Sequence, residues 1–159
     1  MRRIPALAMA LLVAGCGIQP SDVIQAGEAP TGVAAGVTLY LVDDDHHLVP
    51  QQRETGQLGT TAEALALLLA VSDESDLHTE IKSTSVTRVF VQTVPGLITL
   101  RIPLTRDDMT QTGVDQIVCT AIASVVQAGA PRATTKVNIQ FTEASAAEQQ
   151  RVRSCPVIG

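Results

Sequence analysis

The side chains able to do chemistry are Cys16, the pair Cys119 and Cys155, the run Asp43-Asp44-Asp45-His46-His47, and the adjacent Asp107-Asp108. Thiolates act as nucleophiles, metal ligands or disulfide partners, and carboxylates with imidazoles hold divalent ions. The run at 43–47 is the tempting metal candidate. Five adjacent residues on a tight turn cannot all converge on one ion, however, and no second ligand cluster exists elsewhere. The run is therefore expected to be a solvated hairpin tip. Cys119 and Cys155 have no neighbouring histidine and do not make a zinc site. Nucleophilic catalysis needs a nucleophile beside a base. The three histidines, His46, His47 and His78, fall in expected loops, and neither a G-x-S-x-G elbow nor an H-E-x-x-H helix is present. Asp107 and Asp108 adjoin on one loop, whereas glycosidase carboxylates face each other across a cleft. The reading is of no enzyme, no catalytic residue, no metal and no cofactor.

Cys16 stands apart. Arg2 and Arg3 precede an apolar run over 4–13, and Val13-Ala14-Gly15 puts small residues immediately before the cysteine. This is the layout of a secretory signal, and Val13-Ala14-Gly15-Cys16 resembles a bacterial lipobox. The resemblance implies cleavage between Gly15 and Cys16 and a diacylglyceryl (palmitate-type) anchor on the Cys16 thiol. The expected address is the extracytoplasmic face of the cell membrane, lipid-anchored and not spanning, since a crossing helix needs about 20 apolar residues.

Loss of residues 1–15 leaves 9 basic against 16 acidic side chains, a net charge of −7. Nucleic-acid binding rests on basic patches and is not expected. The remaining 144 residues suffice for one domain with its own core. Tyr40, Phe90 and Phe141 are the only aromatics, so the core must be Val, Ile, Leu and Ala. In an oxidising compartment the two cysteines left after lipidation invite a disulfide between Cys119 and Cys155. Two separate thiols are the alternative.

Along the chain, 16–36 is rich in Pro, Gly and Ala without a sustained period and reads as a flexible spacer after Cys16. A strand over 37–42 leads through the charged tip to Leu48-Val49-Pro50. Thr60-Thr61-Ala62-Glu63 is a capping box. It opens an Ala/Leu helix over about 62–72 in which Leu65, Leu68 and Leu69 form the apolar stripe, widened by Leu67 and Val71. Such a helix is expected to be deeply buried or covered on more than one side. Strands over 86–93 and 97–102 meet at Pro95-Gly96. A two-residue loop there sets Val89, Val91 and Thr93 opposite Ile102, Leu100 and Ile98, with Phe90 and Arg101 on the other face. A bulged loop would shift that register by one residue. A second helix is expected over about 114–128, burying Ile117, Val118, Ala121, Ile122 and Val125, with Cys119 off the centre of the stripe, so that it can reach a partner at the domain edge. The last strand covers 135–141, and 143–159 is a C-terminal tail with a possible Glu148–Arg151 pair. The fold class is α/β (an α+β sandwich): one compact domain over 37–142, helices on a mixed sheet, in the order β-α-β-β-α-β.

That order, with Gly15-Cys16-Gly17-Ile18 in front, resembles actinobacterial lipoproteins carrying a GerMN domain. The matching residues are Gly36-Val37-Thr38-Leu39-Tyr40-Leu41-Val42, Leu48-Val49-Pro50, the Ala/Leu helix, Gly96-Leu97-Ile98-Thr99-Leu100, Gln116-Ile117-Val118-Cys119-Thr120-Ala121 and Cys155-Pro156. No single motif is diagnostic; the likeness lies in their order and spacing over about 16–156. GerMN domains take their name from a sporulation and germination protein, and they also occur in lipoproteins that partner membrane sensor kinases. The resemblance implies a non-catalytic, extracytoplasmic protein-interaction module of the cell envelope. A tandem second copy and an attached propeller, features of better-studied members, are missing here, so those members' specific roles do not carry over. The alternative is a small-ligand-binding lipoprotein of the cell surface. The expected partners are membrane lipid, through Cys16, and an envelope protein.

Overall fold

A computed structural model describes residues 36–56, 59–71, 76–85 and 87–158. Gly15, Cys16, the signal segment and all but the last residue of the spacer lie outside them. The architecture is α+β, as expected from the sequence, with the strands divided between two sheets.

The first sheet is a hairpin of β1 (Gly36–Val42) and β2 (Leu48–Glu54). β1 is buried along almost its whole length, whereas β2 is mostly polar and exposed. Pro50 is accommodated because it lies opposite Tyr40, whose N–H and C=O both turn away from β2 toward other partners.

α1 (Thr61–Leu69) begins at the expected capping box. Glu63 N–H donates to Thr60 Oγ1 at 3.2 Å, and Thr60 N–H donates to Glu63 Oε2 at 2.7 Å. Leu65, Leu68 and Leu69 are buried, but Leu67 is 40% exposed. The helix is therefore covered on one side only, contrary to the expectation from its composition. It packs against α2, β1 and the second sheet's first strand, and Leu67 is left exposed.

The second sheet runs in the order β3 (Phe90–Val94), β4 (Leu97–Arg101), β5 (Lys136–Gln140) and β6 (Val152–Arg153). It is mixed: β4 and β5 are parallel and the other pairs antiparallel. Phe90 pairs with Arg101, Val91 with Leu100 and Thr93 with Ile98, so the two-residue loop and its register hold. Gly96 supplies the turn with φ +79°, the left-handed value a type II turn needs at its third position. β3 begins later than the sequence implied, and Thr93 is exposed although it shares a face with Val91.

α2 (Gln111–Gln127) starts three residues before the expected position, with Thr110 Oγ1 accepting from Gly113 N–H at 3.1 Å. Thr112 and Gly113 in the first turn are poor helix formers, which hides the start. The expected single stripe is replaced by burial around the whole circumference from Gln116 to Ser124, because α2 packs against β1, α1 and β5 at once. Gly113 is needed for this packing. A Cβ there would lie 2.5 Å from the Glu80 carbonyl oxygen and 3.0 Å from Met109 Cβ. Alanine gains at most about 1 kcal/mol of helix propensity, less than the roughly 1–3 kcal/mol of overpacking. Gly113→Ala is expected to lower the urea midpoint despite improving the helix.

The segment read as a tail is built into the domain. α3 (Ala146–Gln149) is capped by Ser145. β6 then extends the sheet along Val137 and Asn138, and Asn138 Nδ2 donates to the carbonyls of Gln149 at 2.6 Å and Arg151 at 3.1 Å. Glu148 holds Arg151 at 3.5 Å and also contacts Arg153.

Candidate functional site

Tyr40 places its backbone groups on the edge of β1 opposite β2, where a third strand would ordinarily dock. Side chains of α2 take that role. Thr120 Oγ1 accepts from Tyr40 N–H at 3.0 Å, and Gln116 Nε2 donates to Tyr40 C=O at 3.1 Å. His78 extends the same edge by exchanging both backbone hydrogen bonds with Val42 at 2.9 Å. Gln116 also donates to His78 C=O at 3.3 Å, and its Oε1 accepts from Glu80 N–H at 2.9 Å. The next residue, Ile81, bridges to Met109, and Lys82 N–H donates to Asp108 C=O at 2.7 Å. Residues 78–82 thus tie the end of β1 to the entry of α2.

This junction gathers most of the sequence candidates. The tip of the β1–β2 hairpin is an Asp-capped turn. Asp43 Oδ1 accepts from Asp45 N–H at 3.0 Å and His47 N–H at 2.8 Å, and His46 takes φ +61°. Those backbone bonds, the His47 bond first, hold the Asp43 carboxyl below the ordinary carboxylate range. His47 leans back toward Asp43 at 3.7 Å, while His46 reaches Glu80 Oε1 at 2.9 Å. The two imidazoles engage different carboxylates, and among the described residues no group of three or more His, Cys, Asp or Glu could hold a metal ion. Asp108 accepts from both the N–H and the Oγ1 of Thr105 at 2.8 Å, capping the short 3-10 turn Arg106–Asp108, and faces Lys82 at 3.3 Å. Asp107 is exposed.

Sequence reasoning passed over Glu80. Its side chain is 12% exposed and bonds His46 Nδ1 and the hydroxyl of Thr110. A hydroxyl, a carboxylate and an imidazole are thus in contact, but in the wrong order for acyl transfer. In a triad the imidazole stands between the other two, whereas here the carboxylate does, and Thr110 Oγ1 is occupied in capping α2. Burial pushes the Glu80 carboxyl up, but hydrogen bonds from Thr110, His46 and Thr112 outweigh it, and the group titrates below its usual 4.5. A carboxyl lower in the folded state than in the unfolded chain stabilises the fold above the ordinary glutamate range. That contribution disappears as pH falls through the depressed value. Glu80→Gln is expected to flatten part of the acid-side loss of stability below pH 4.5 in urea titrations. Only part is removed, because Asp43, Glu63 and Asp108 are lowered too. Asp115 on α2 is shifted the other way: burial raises it, outweighing the lowering by the Gln111 hydrogen bond and by the charges of Arg153 and Arg106.

Cys119 and Cys155 are disulfide-bonded, with Cα atoms 4.8 Å apart. Cys119 is expected off the centre of the apolar stripe, within reach of a partner at the domain edge. It is fully buried in α2, and Cys155 is nearly so, because the tail folds back over β5 to reach it.

The site is therefore a junction built of backbone-satisfying side chains, a capped acidic turn and a buried cross-link. No family model, curated protein or solved structure matches the chain.

Proposed function

We propose that this protein is a lipid-anchored lipoprotein on the extracytoplasmic face of the cell membrane, where a GerMN-like domain serves as a non-catalytic protein-interaction scaffold. The supporting observation is the buried Cys119–Cys155 disulfide, a cross-link of oxidising compartments that agrees with the export and lipidation read from residues 1–16. The use of His46, Glu80 and Thr110 as structural groups at the junction supports the non-catalytic part.

Two experiments in cells test the reading. Cys16→Ser is expected to leave the membrane fraction or to persist as an uncleaved precursor; a normally processed Cys16→Ser protein retained on membranes would exclude the anchor. Crosslinking and affinity capture of the full chain from native membranes is expected to enrich one defined envelope protein, and recovery of background alone would count against the scaffold.

A further inference from the structure

The two edges of the second sheet differ sharply. β6 is two residues long, and its Arg153 is engaged by Glu148. β3, Phe-Val-Gln-Thr-Val, carries neither charge nor proline nor bulge, the devices that normally protect an edge. Val94 and Leu97 flank the two-residue turn as a hydrogen-bonded pair. Alternation along the strand then turns the N–H and C=O of Val91 and Thr93 outward. Among the described residues no strand pairs with β3 on that side.

Charge around this edge is one-sided. The protein has 16 acidic and 11 basic residues, yet none of the acids lies between Ile81 and Arg106, or in β5. Arg101 shares the outer face with Phe90, its cross-strand neighbour, and with Lys136 further along the sheet. Arg88, Phe90 and Arg101 line one shallow depression with Ile102 and Pro103. Phe90 is 67% exposed, the largest exposed apolar side chain described. Lys82, Arg151 and Arg153 pair with carboxylates, whereas among the described residues no ion pair includes Arg88, Arg101 or Lys136. Among the described residues Arg53, Arg106 and Arg132 are likewise outside any ion pair, but Arg88 and Arg101 are the two set beside an exposed phenylalanine at an unprotected strand edge.

We propose that this edge is a docking site for an acidic, extended segment of a partner protein, which adds to the sheet beside β3. Backbone bonds to Val91 and Thr93 supply affinity, and carboxylates facing Arg88 and Arg101 supply selectivity. A second copy of this chain fits less well, because pairing β3 with itself brings like-charged Arg88 and Arg101 sets onto one face. This inference rests on the protein-interaction reading above and specifies the surface and the partner's chemistry.

The test uses the full chain, nitrogen-15 labelled, titrated with peptides of about eight residues, an ordinary strand length. One alternates Val with Glu, one alternates Val with Lys, and one is the Glu peptide with a central proline. The Glu peptide is expected to shift the amide signals of Val91 and Thr93, to bind at least about tenfold tighter than the Lys peptide, and to weaken with salt. The proline version is expected to lose most of the binding, and Arg88→Glu/Arg101→Glu to reverse the preference with core amide signals unchanged. Equal affinity for the Glu and Lys peptides overturns the proposal. So do shifts confined to another surface, or a dimer that already protects β3. In native membranes, a partner crosslinked equally by wild type and Arg88→Glu/Arg101→Glu overturns this surface and leaves the interaction reading intact. No partner from either chain overturns both.

Discussion

Gln116→Ala is expected to lower the unfolding free energy by about 3–5 kcal/mol, as much as truncating a large buried apolar side chain. Gln116 is fully buried and joins three segments through one amide. Its Nε2 donates to the carbonyls of Tyr40 and His78, and its Oε1 accepts from Glu80 N–H. Alanine leaves a cavity and strands backbone groups that no strand can reach, because α2 occupies the edge of β1. The two costs add. Gln116→Leu separates them by restoring most of the volume without the polar bonds, and should cost roughly 1–3 kcal/mol. Gln116→Glu keeps an acceptor for Glu80 N–H but turns a carboxylate toward two carbonyl oxygens. Its deficit should shrink as pH falls, since a protonated carboxyl can again donate. Urea denaturation of the three variants gives the order, and amide exchange at Glu80 shows whether 78–82 loosens first. Equal stability of wild type and Gln116→Ala would show that α2 is not what closes this edge.

Cys119→Ala/Cys155→Ala is expected to lose about 4 kcal/mol. The cross-link spans 36 residues, and closing a loop of that length removes about this much entropy from the unfolded chain in the loop-closure description. The loss should fall unevenly. α3 and β6 are held by the disulfide, by the Asn138 bonds to Gln149 and Arg151, and by only two strand pairs to β5. Hydrogen exchange should therefore accelerate at Val152 and Arg153 well before it does in α2. Comparing the oxidised wild type with the double variant in urea measures the effect without reduction occurring during the transition. A midpoint shift within error would place the two cysteines together without a stabilising role.

Which parts of the fold were legible follows from the range of the interactions. The Thr60–Glu63 capping box depends on groups three residues apart, and the β3–β4 register on a two-residue turn with Gly96 at positive φ. Both are local chemistry written in adjacent residues. The alternation of Val137, Ile139 and Phe141 likewise marks one buried face whatever covers it. Leu67 was misjudged because an Ala/Leu helix carries the same composition whether one side or two are covered. The first turn of α2 was missed because Gly113 lowers helix propensity, and the close approach of the Glu80 carbonyl that requires a glycine there cannot be seen along the chain.

By itself the sequence determined the local elements and the cysteine pair available for a cross-link, and it is the source of the proposal that the chain is exported and lipidated at Cys16. Only the tertiary structure decided that α2 completes the edge of β1, since Gln116 and Thr120 lie 76 and 80 residues from the Tyr40 groups they satisfy. It also decided that Glu80 becomes the hub of the hairpin tip, and that β3 rather than β6 is the edge left open. The physical reason is that burial and hydrogen-bond satisfaction belong to the surroundings of a residue, which the chain assembles from distant segments. A glutamine, a glutamate and a short apolar strand read as ordinary until those segments meet.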